Sequence, residues 1–159
     1  MTESNGAGTA WTLIERLHIC MLVTRQGEAL RARPMAAYVR REKGLIYFLT
    51  DVKNHKDDEI AAAPQVCLAF ADKGEQDYVS VSGTARVLND RTLVRELWST
   101  PAKAWWDSAD DPAIRVLEVT PQAAEYWDSP GGLVSYVKMQ VAAMSGERPD
   151  MGENRKVVL

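Results

Sequence analysis

The sequence predicts a mostly β fold, an antiparallel barrel with short flanking helices. Three observations predict it. Apolar, β-branched runs recur along the chain and are joined by short polar turns. The run Val79-Ser80-Val81-Ser82-Gly83-Thr84-Ala85-Arg86-Val87 alternates strictly between apolar and small polar residues. The helical stretches between these runs are too short and too irregularly placed for a doubly wound parallel sheet. A chain of 159 residues suits one domain with a real core.

In chain order, residues 1–8 read as a loose tail, and residues 9–144 as the domain. Thr9 to Leu17 is an amphipathic helix with Trp11, Ile14 and Leu17 on one side. Ile19 to Thr24 is a continuous apolar run, typical of a buried strand. Gln26-Gly27-Glu28 turns the chain into a return strand over Leu30 to Arg40. Arg41-Glu42-Lys43-Gly44 turns it again into Leu45 to Thr50. A helix over Lys56 to Ala63 stops at Pro64, which cannot continue it. Gln65 to Ala71 is another buried strand, and Asp72 to Asp77 a polar hairpin loop. In the alternating strand that follows, Val79, Val81, Gly83, Ala85 and Val87 share the inner face. Asp90 caps a helix running to Trp98. Ala113 to Thr120 is a strand, Pro121 to Trp127 a further short one, and Leu133 to Met144 an amphipathic helix. Residues 145–159 mix glycine, proline and charge and read as a tail or docking arm.

Composition narrows the function classes. The formal net charge of −3 gives no reason to expect nucleic acid or a membrane surface as partner. No apolar run is long enough to span a bilayer as a helix, and the first residues lack the pattern of a signal peptide. Cys20 and Cys67 lie far apart in apolar runs and read as reduced thiols, in keeping with a cytoplasmic location. His18, His55, Cys20 and Cys67 lack the paired short spacing of a structural zinc site, so no metal is expected.

Two stretches carry the candidate chemistry. In the strand bearing Arg31-Ala32-Arg33-Pro34-Met35, residues two apart share a face, so Arg31, Arg33 and Met35 point one way. Pro34 cannot donate to the ladder, which puts this strand at an edge or a bulge. Downstream, Leu45 to Thr50 runs through Asp51-Val52-Lys53 into Asn54-His55-Lys56. Asn54 is the expected helix cap, and basic residues in a first helical turn oppose the helix dipole unless an anion sits there. Guanidiniums from one strand and a lysine from the next junction suit a dianionic phosphate.

In their order along the chain, Arg33-Pro34-Met35, Phe48-Leu49-Thr50-Asp51, Asn54-His55-Lys56, Pro64 to Phe70, Val79 to Val87 and Ala124-Glu125-Tyr126-Trp127 resemble the pyridoxamine 5′-phosphate oxidase-like superfamily of FMN-binding split barrels. Within it, the chain looks like the general stress protein 26-like branch, over about Ala10 to Val141. The resemblance implies a Greek-key split barrel and FMN as cofactor, ahead of FAD or a deazaflavin. It implies Arg33 and Lys56 on the phosphate, with Asn54 and His55 nearby. Pro34, Met35, Leu49 and Thr50 would lie along the ring and ribityl chain, and Trp127 would cover the flavin. It also implies a homodimer with the cofactor at the subunit interface. The Trp98, Trp105 and Trp106 group reads instead as packing.

The expected function is an FMN-dependent oxidoreductase for a small organic substrate, with a nicotinamide nucleotide or oxygen as co-reactant. The alternative is a stress protein that holds flavin for sensing, storage or buffering. No side chain is nominated as a catalytic acid or base. The vitamin B6 oxidases of the superfamily carry a C-terminal arginine near a tryptophan and a proline-containing tail. The ending Glu153 to Leu159 does not reproduce that arrangement, so B6 oxidation is not the expected activity.

Overall fold

The computed structural model describes residues 5–54 and 56–159, without the side chains of Asn5, Asn54, Lys56 and Asp57. It contains helices α1 (Asn5–Leu17), α2 (Lys56–Ala62), α3 (Arg91–Leu97) and α4 (Gly132–Ser145). Its strands are β1 (Ile19–Gln26), β2 (Ala29–Ala36), β3 (Tyr38–Arg40), β4 (Leu45–Asp51), β5 (Gln65–Asp72), β6 (Asp77–Leu88), β7 (Ile114–Asp128) and β8 (Glu153–Val158). All the pairings are antiparallel, in the order β2-β1-β5-β6-β7-β4-β3, with β8 added beside β7. The fold class read from the sequence is the one found.

The hydrogen-bonded sheet is open, yet its two ends are consecutive in the chain. The predicted single strand from Leu30 to Arg40 breaks at Ala37 into β2, which pairs with β1, and β3, which pairs with β4. One bent segment therefore bridges both ends of the sheet. Ala37 N–H donates to His18 C=O at 2.7 Å and pins the bend. β2 is an edge strand, as Pro34 requires.

Alternation decides which side faces the core. Leu22, Phe48, Leu68, Phe70, Val79, Val81, Leu117 and Tyr126 meet inside, and Trp11, Leu13 and Ile14 of α1 close the main cluster. A second cluster joins Tyr47 and Leu49 of β4 to Val94 and Leu97 of α3, Ala102, and Ile114 and Val116 of β7. Asp90 caps α3 as expected, its carboxylate accepting from Leu93 N–H at 3.0 Å.

Further segments differ from the sequence reading, and α1 itself begins at Asn5, inside the expected tail of residues 1–8. The strands expected at Ala113 to Thr120 and Pro121 to Trp127 are one strand, β7. Pairing shifts from Ser82–Ala123 to Gly83–Pro121, so Gln122 is an extra residue and the imino acid sits at a bulge instead of ending the strand. The approach is so close that a Cβ on Gly83 would lie 2.4 Å from Thr120 O, which only glycine permits. The expected tail or docking arm after Ser145 contains β8. The C-terminal Leu159 N–H reaches the Gln122 carbonyl at 3.2 Å, using an acceptor the bulge sets free.

Candidate functional site

The register of β1 against β2 sets up the site. Cys20 pairs with Met35, Leu22 with Arg33 and Thr24 with Arg31. Directly paired residues share a face, and Cys20, Leu22 and Thr24 are buried. Arg31, Arg33 and Met35 are thus carried on the core side of an edge strand. A guanidinium there needs a counter-charge, because burying an isolated cation is costly.

Glu59 of α2 supplies it. Its Oε2 accepts from Arg33 Nη2 at 3.1 Å and from Thr24 Oγ1 at 3.0 Å, while Arg31 Nη1 lies 3.8 Å from Oε1. The Arg33 and Glu59 side chains are only 14% and 8% exposed. Burial pushes the Glu59 carboxyl up, but the hydrogen bonds from Arg33 and Thr24 and the charges of Arg33 and Arg31 outweigh it and hold the group below its ordinary value. One Arg33 nitrogen is thereby engaged. The other two, Nε and Nη1, are buried and have no hydrogen-bond partner among the described residues.

Arg31 and Arg33 belong to one wall of a cavity of about 810 Å³. β2 contributes Arg31, Arg33, Pro34 and Met35, and β4 faces it with Leu49, Thr50 and Asp51. Lys53 and the segment from Pro101 to Trp106 complete the lining. The volume falls in the range of about 300–1,000 Å³ usual for small-molecule and cofactor sites. Its lining combines the cations Arg31, Arg33 and Lys53 with mostly apolar and aromatic side chains.

The second wall is held from behind. Trp106 packs on the second hydrophobic cluster, and its Nε1–H donates to Asp51 Oδ2 at 3.1 Å. Asp51 Oδ1 accepts from Lys53 N–H at 2.8 Å, which fixes the turn leaving β4. Arg91 of α3 donates to the carbonyls of Ile114 at 2.8 Å and Asp111 at 2.7 Å, stapling the 107–111 turn that follows the two tryptophans. Tyr38 OH and Ser99 Oγ lie 2.9 Å apart and tie β3 to the residue that precedes the Thr100–Ala104 turn.

Of the residues the sequence nominated, Arg33, Pro34, Met35, Leu49 and Thr50 come together in the cavity. His55 lies outside the described residues, as do the side chains of Asn54 and Lys56. Trp127 does not line this cavity. It sits near the end of β7 opposite Tyr78 and Asn154, 39% exposed. Sequence reasoning missed Glu59, Asp51, Lys53 and Trp105. Trp98 and Trp106 pack as expected, but Trp105 stands 80% exposed at the cavity. Adjacent tryptophans in a short helical turn cannot both face one core, which was the available signal. Nothing in the sequence separates Glu59 from its acidic neighbours Asp57 and Asp58.

Cys20 is buried and Cys67 half-buried, both as free thiols. Burial, with Cys67 nearby, pushes the Cys20 thiol up to about 12 and makes it a poor nucleophile. Among the described residues, no group of three or more His, Cys, Asp or Glu is placed to hold a metal ion. No helix is long and apolar enough to cross a membrane.

Residues 7–150 match the family model described as pyridoxamine 5′-phosphate oxidase like. General stress protein 26 of Bacillus subtilis (strain 168) is 34% identical over 84 residues, 48% of this chain and 57% of that protein. Protein bli-3 of Neurospora crassa is 29% identical over 129 residues, 74% of this chain and 62% of that protein. The chain therefore spans about three fifths of the length of these curated relatives. Among solved structures, a protein described provisionally as general stress protein 26 from Jannaschia sp. CCS1 superposes with a TM-score of 0.78 at 29% identity, covering 96% of this chain and 97% of that one. The general stress FMN/FAD binding protein of Xanthomonas citri superposes with a TM-score of 0.66 at 28% identity, over 75% of this chain and 85% of that one.

Proposed function

This chain belongs to the pyridoxamine 5′-phosphate oxidase-like family, and we propose that it binds FMN in the cavity between β2 and β4. The observation that carries this reading is the Arg33 guanidinium, buried with two nitrogens unpartnered among the described residues, beside a cavity of cofactor size. Such a group is costly unless an anion completes it. A phosphate monoester has about two negative charges near neutral pH and oxygens that match the guanidinium fork. The similarity to a relative described as FMN/FAD binding points the same way.

In this reading Arg33 binds the phosphate, with Arg31, Lys53 and Lys56 adding positive charge. Met35, Pro34, Leu49 and Thr50 hold the flat and ribityl portions, and Trp105, exposed at the cavity, covers the flavin in the way expected of Trp127. Bound flavin would supply hydride and electron transfer for a small organic substrate, with a nicotinamide nucleotide or oxygen as co-reactant. The chain's own residues bind, orient and shield. The working unit is a cytoplasmic homodimer with the cofactor at the subunit interface. Ile19 lines the cavity 48% exposed, and Met21, 40% exposed, follows it on the same face of β1, an apolar surface suited to a second subunit.

A second reading, flavin held without turnover, is favoured by one observation. Asp51 is the only carboxylate among the described lining residues, and both its oxygens already accept hydrogen bonds, from Trp106 and from Lys53 N–H. The visible spectrum of purified protein and a titration with FMN test the shared premise, since a colourless protein that ignores FMN ends both readings. Anaerobic mixing with NADH or NADPH then separates them. Rapid bleaching of the bound flavin supports an oxidoreductase, and persistence of the oxidised spectrum supports a holder.

A further inference from the structure

The cationic wall contains a buried carboxylate to which flavin binding by itself gives no role. Glu59 does not line the cavity; it stands behind Arg33 on α2. A single oxygen, Oε2, takes hydrogen bonds from both Arg33 of β2 and Thr24 of β1. Thr24 is itself 1% exposed, so the carboxylate is fixed by a rigid, buried donor. An arginine stem on an edge strand would otherwise lean toward water with its charged head solvated. With Nη2 tethered to Glu59, the head stays in the wall and its remaining two nitrogens stay uncommitted. A binding group keeps its geometry when the groups behind it lock its rotamer.

We propose that Glu59 is a positioning residue that holds Arg33 as a receptor for a phosphate group, with Thr24 holding Glu59 in turn. The inference rests on the anion-binding role given to Arg33 above, and on no other part of the flavin reading. Phosphate could come from a flavin mononucleotide or from free inorganic phosphate, and the two are separated by probe. The contrary possibility is that Glu59 competes with the anion for Arg33.

The experiment uses the full chain, with ³¹P NMR titration of inorganic phosphate and fluorescence titrations of FMN and riboflavin. Glu59→Ala, which removes the tether, should weaken phosphate and FMN binding at least about tenfold and leave riboflavin binding within about threefold. Glu59→Gln, which keeps an acceptor oxygen but not the charge, should bind both as well as the wild type or better. Thr24→Val keeps its volume and loses only the hydroxyl, so it gives a second variant should Glu59→Ala fail to fold, and should weaken phosphate about two- to fivefold. A general loss of structure would lower FMN and riboflavin together, which the predicted pattern does not. Phosphate binding by Glu59→Ala as tight as in the wild type, or tighter, overturns the inference, as does a Glu59→Gln variant no better than Glu59→Ala. Wild-type protein that binds phosphate but ignores FMN ends the flavin reading alone; wild type that binds neither overturns both.

Discussion

The two walls of the cavity hold their shape by different means. On β2 a buried arginine, Arg33, is tethered to a single carboxylate from α2, with the exposed Arg31 nearby on the same face. On β4 and the segment from Pro101 to Trp106, Thr50 and Asp51 line the cavity beside apolar groups, and Leu49, Ala102 and Trp106 rest on a cluster completed by Val94, Leu97, Ile114 and Val116. The first wall is a charge balance and the second a packed solid. The difference sorts perturbations: pH and charge substitutions should act on the β2 wall, and large-to-small substitutions on the β4 wall.

Leu97→Ala tests the packed wall most severely. Leu97 is 2% exposed, and truncation of a buried leucine costs about 2–5 kcal/mol through lost burial and the cavity left behind. Urea denaturation should register that loss. Any cofactor affinity should fall only as far as the second wall moves.

The charged wall responds differently to breaking a pair and to replacing it. Arg33→Ala leaves Glu59 with Thr24 and a distant Arg31, and removing one partner of a buried pair costs about 3–5 kcal/mol. The lower end is expected here, because Arg31 Nη1 remains 3.8 Å away. The double variant Arg33→Met with Glu59→Gln should recover most of that stability, since a buried pair is often replaced by neutral groups at little cost. It should not recover phosphate binding. For that function Arg33→Ala should lose about 1.5–3 kcal/mol, the worth of a charge-assisted hydrogen bond, measured as the FMN dissociation constant relative to riboflavin.

These variants also mark what the sequence made legible. Arg31-Ala32-Arg33 with Pro34 announces a strand at an edge or a bulge with two cations on one face, because strand periodicity and the missing N–H of proline are local properties. That the face is the inner one depends on the register against β1, a long-range pairing. That a carboxylate stands behind it depends on the packing of α2, for which no local pattern codes. β7 shows the same limit from the other side. Pro121 reads as a strand end, and only the bulge opposite Gly83 lets the ladder pass it. The aromatic members of the packed wall were visible as residues but not as neighbours of Leu49 and Met35, because the turn from Thr100 to Ala104 alone brings them there.

A pH titration sharpens the contrast. Glu59 is held below its ordinary value in the folded protein, so the folded state binds its proton less readily than the unfolded chain does. Its contribution to stability is therefore fully present above the unfolded value, about 4.3, and is lost as pH falls through the lower folded value. Urea unfolding at pH 7 and at pH 3 should show the stability gap between wild type and Glu59→Gln shrinking in acid. The gap between wild type and Leu97→Ala should stay nearly constant, because no titrating group contributes to it. Equal pH dependence of the two gaps would mean that charge balance does not hold the β2 wall.

The smallest expected effect on stability belongs to Trp105. At 80% exposure it covers little buried surface, and surface substitutions of that kind usually change stability by no more than about 0.5 kcal/mol. Trp106, by contrast, packs on the second cluster and donates to Asp51, so Trp106→Phe should cost about 0.5–1.5 kcal/mol for the lost hydrogen bond. The two neighbours thus separate support from contact. If Trp105 serves the ligand, Trp105→Ala should leave the urea midpoint unchanged while weakening FMN and riboflavin alike, since it would touch the ring and not the phosphate. A matched loss in both titrations with intact stability would place the aromatic contact at this turn. A loss confined to FMN would move Trp105 to the phosphate end, and no loss in either would leave the ring resting on Met35 and Leu49.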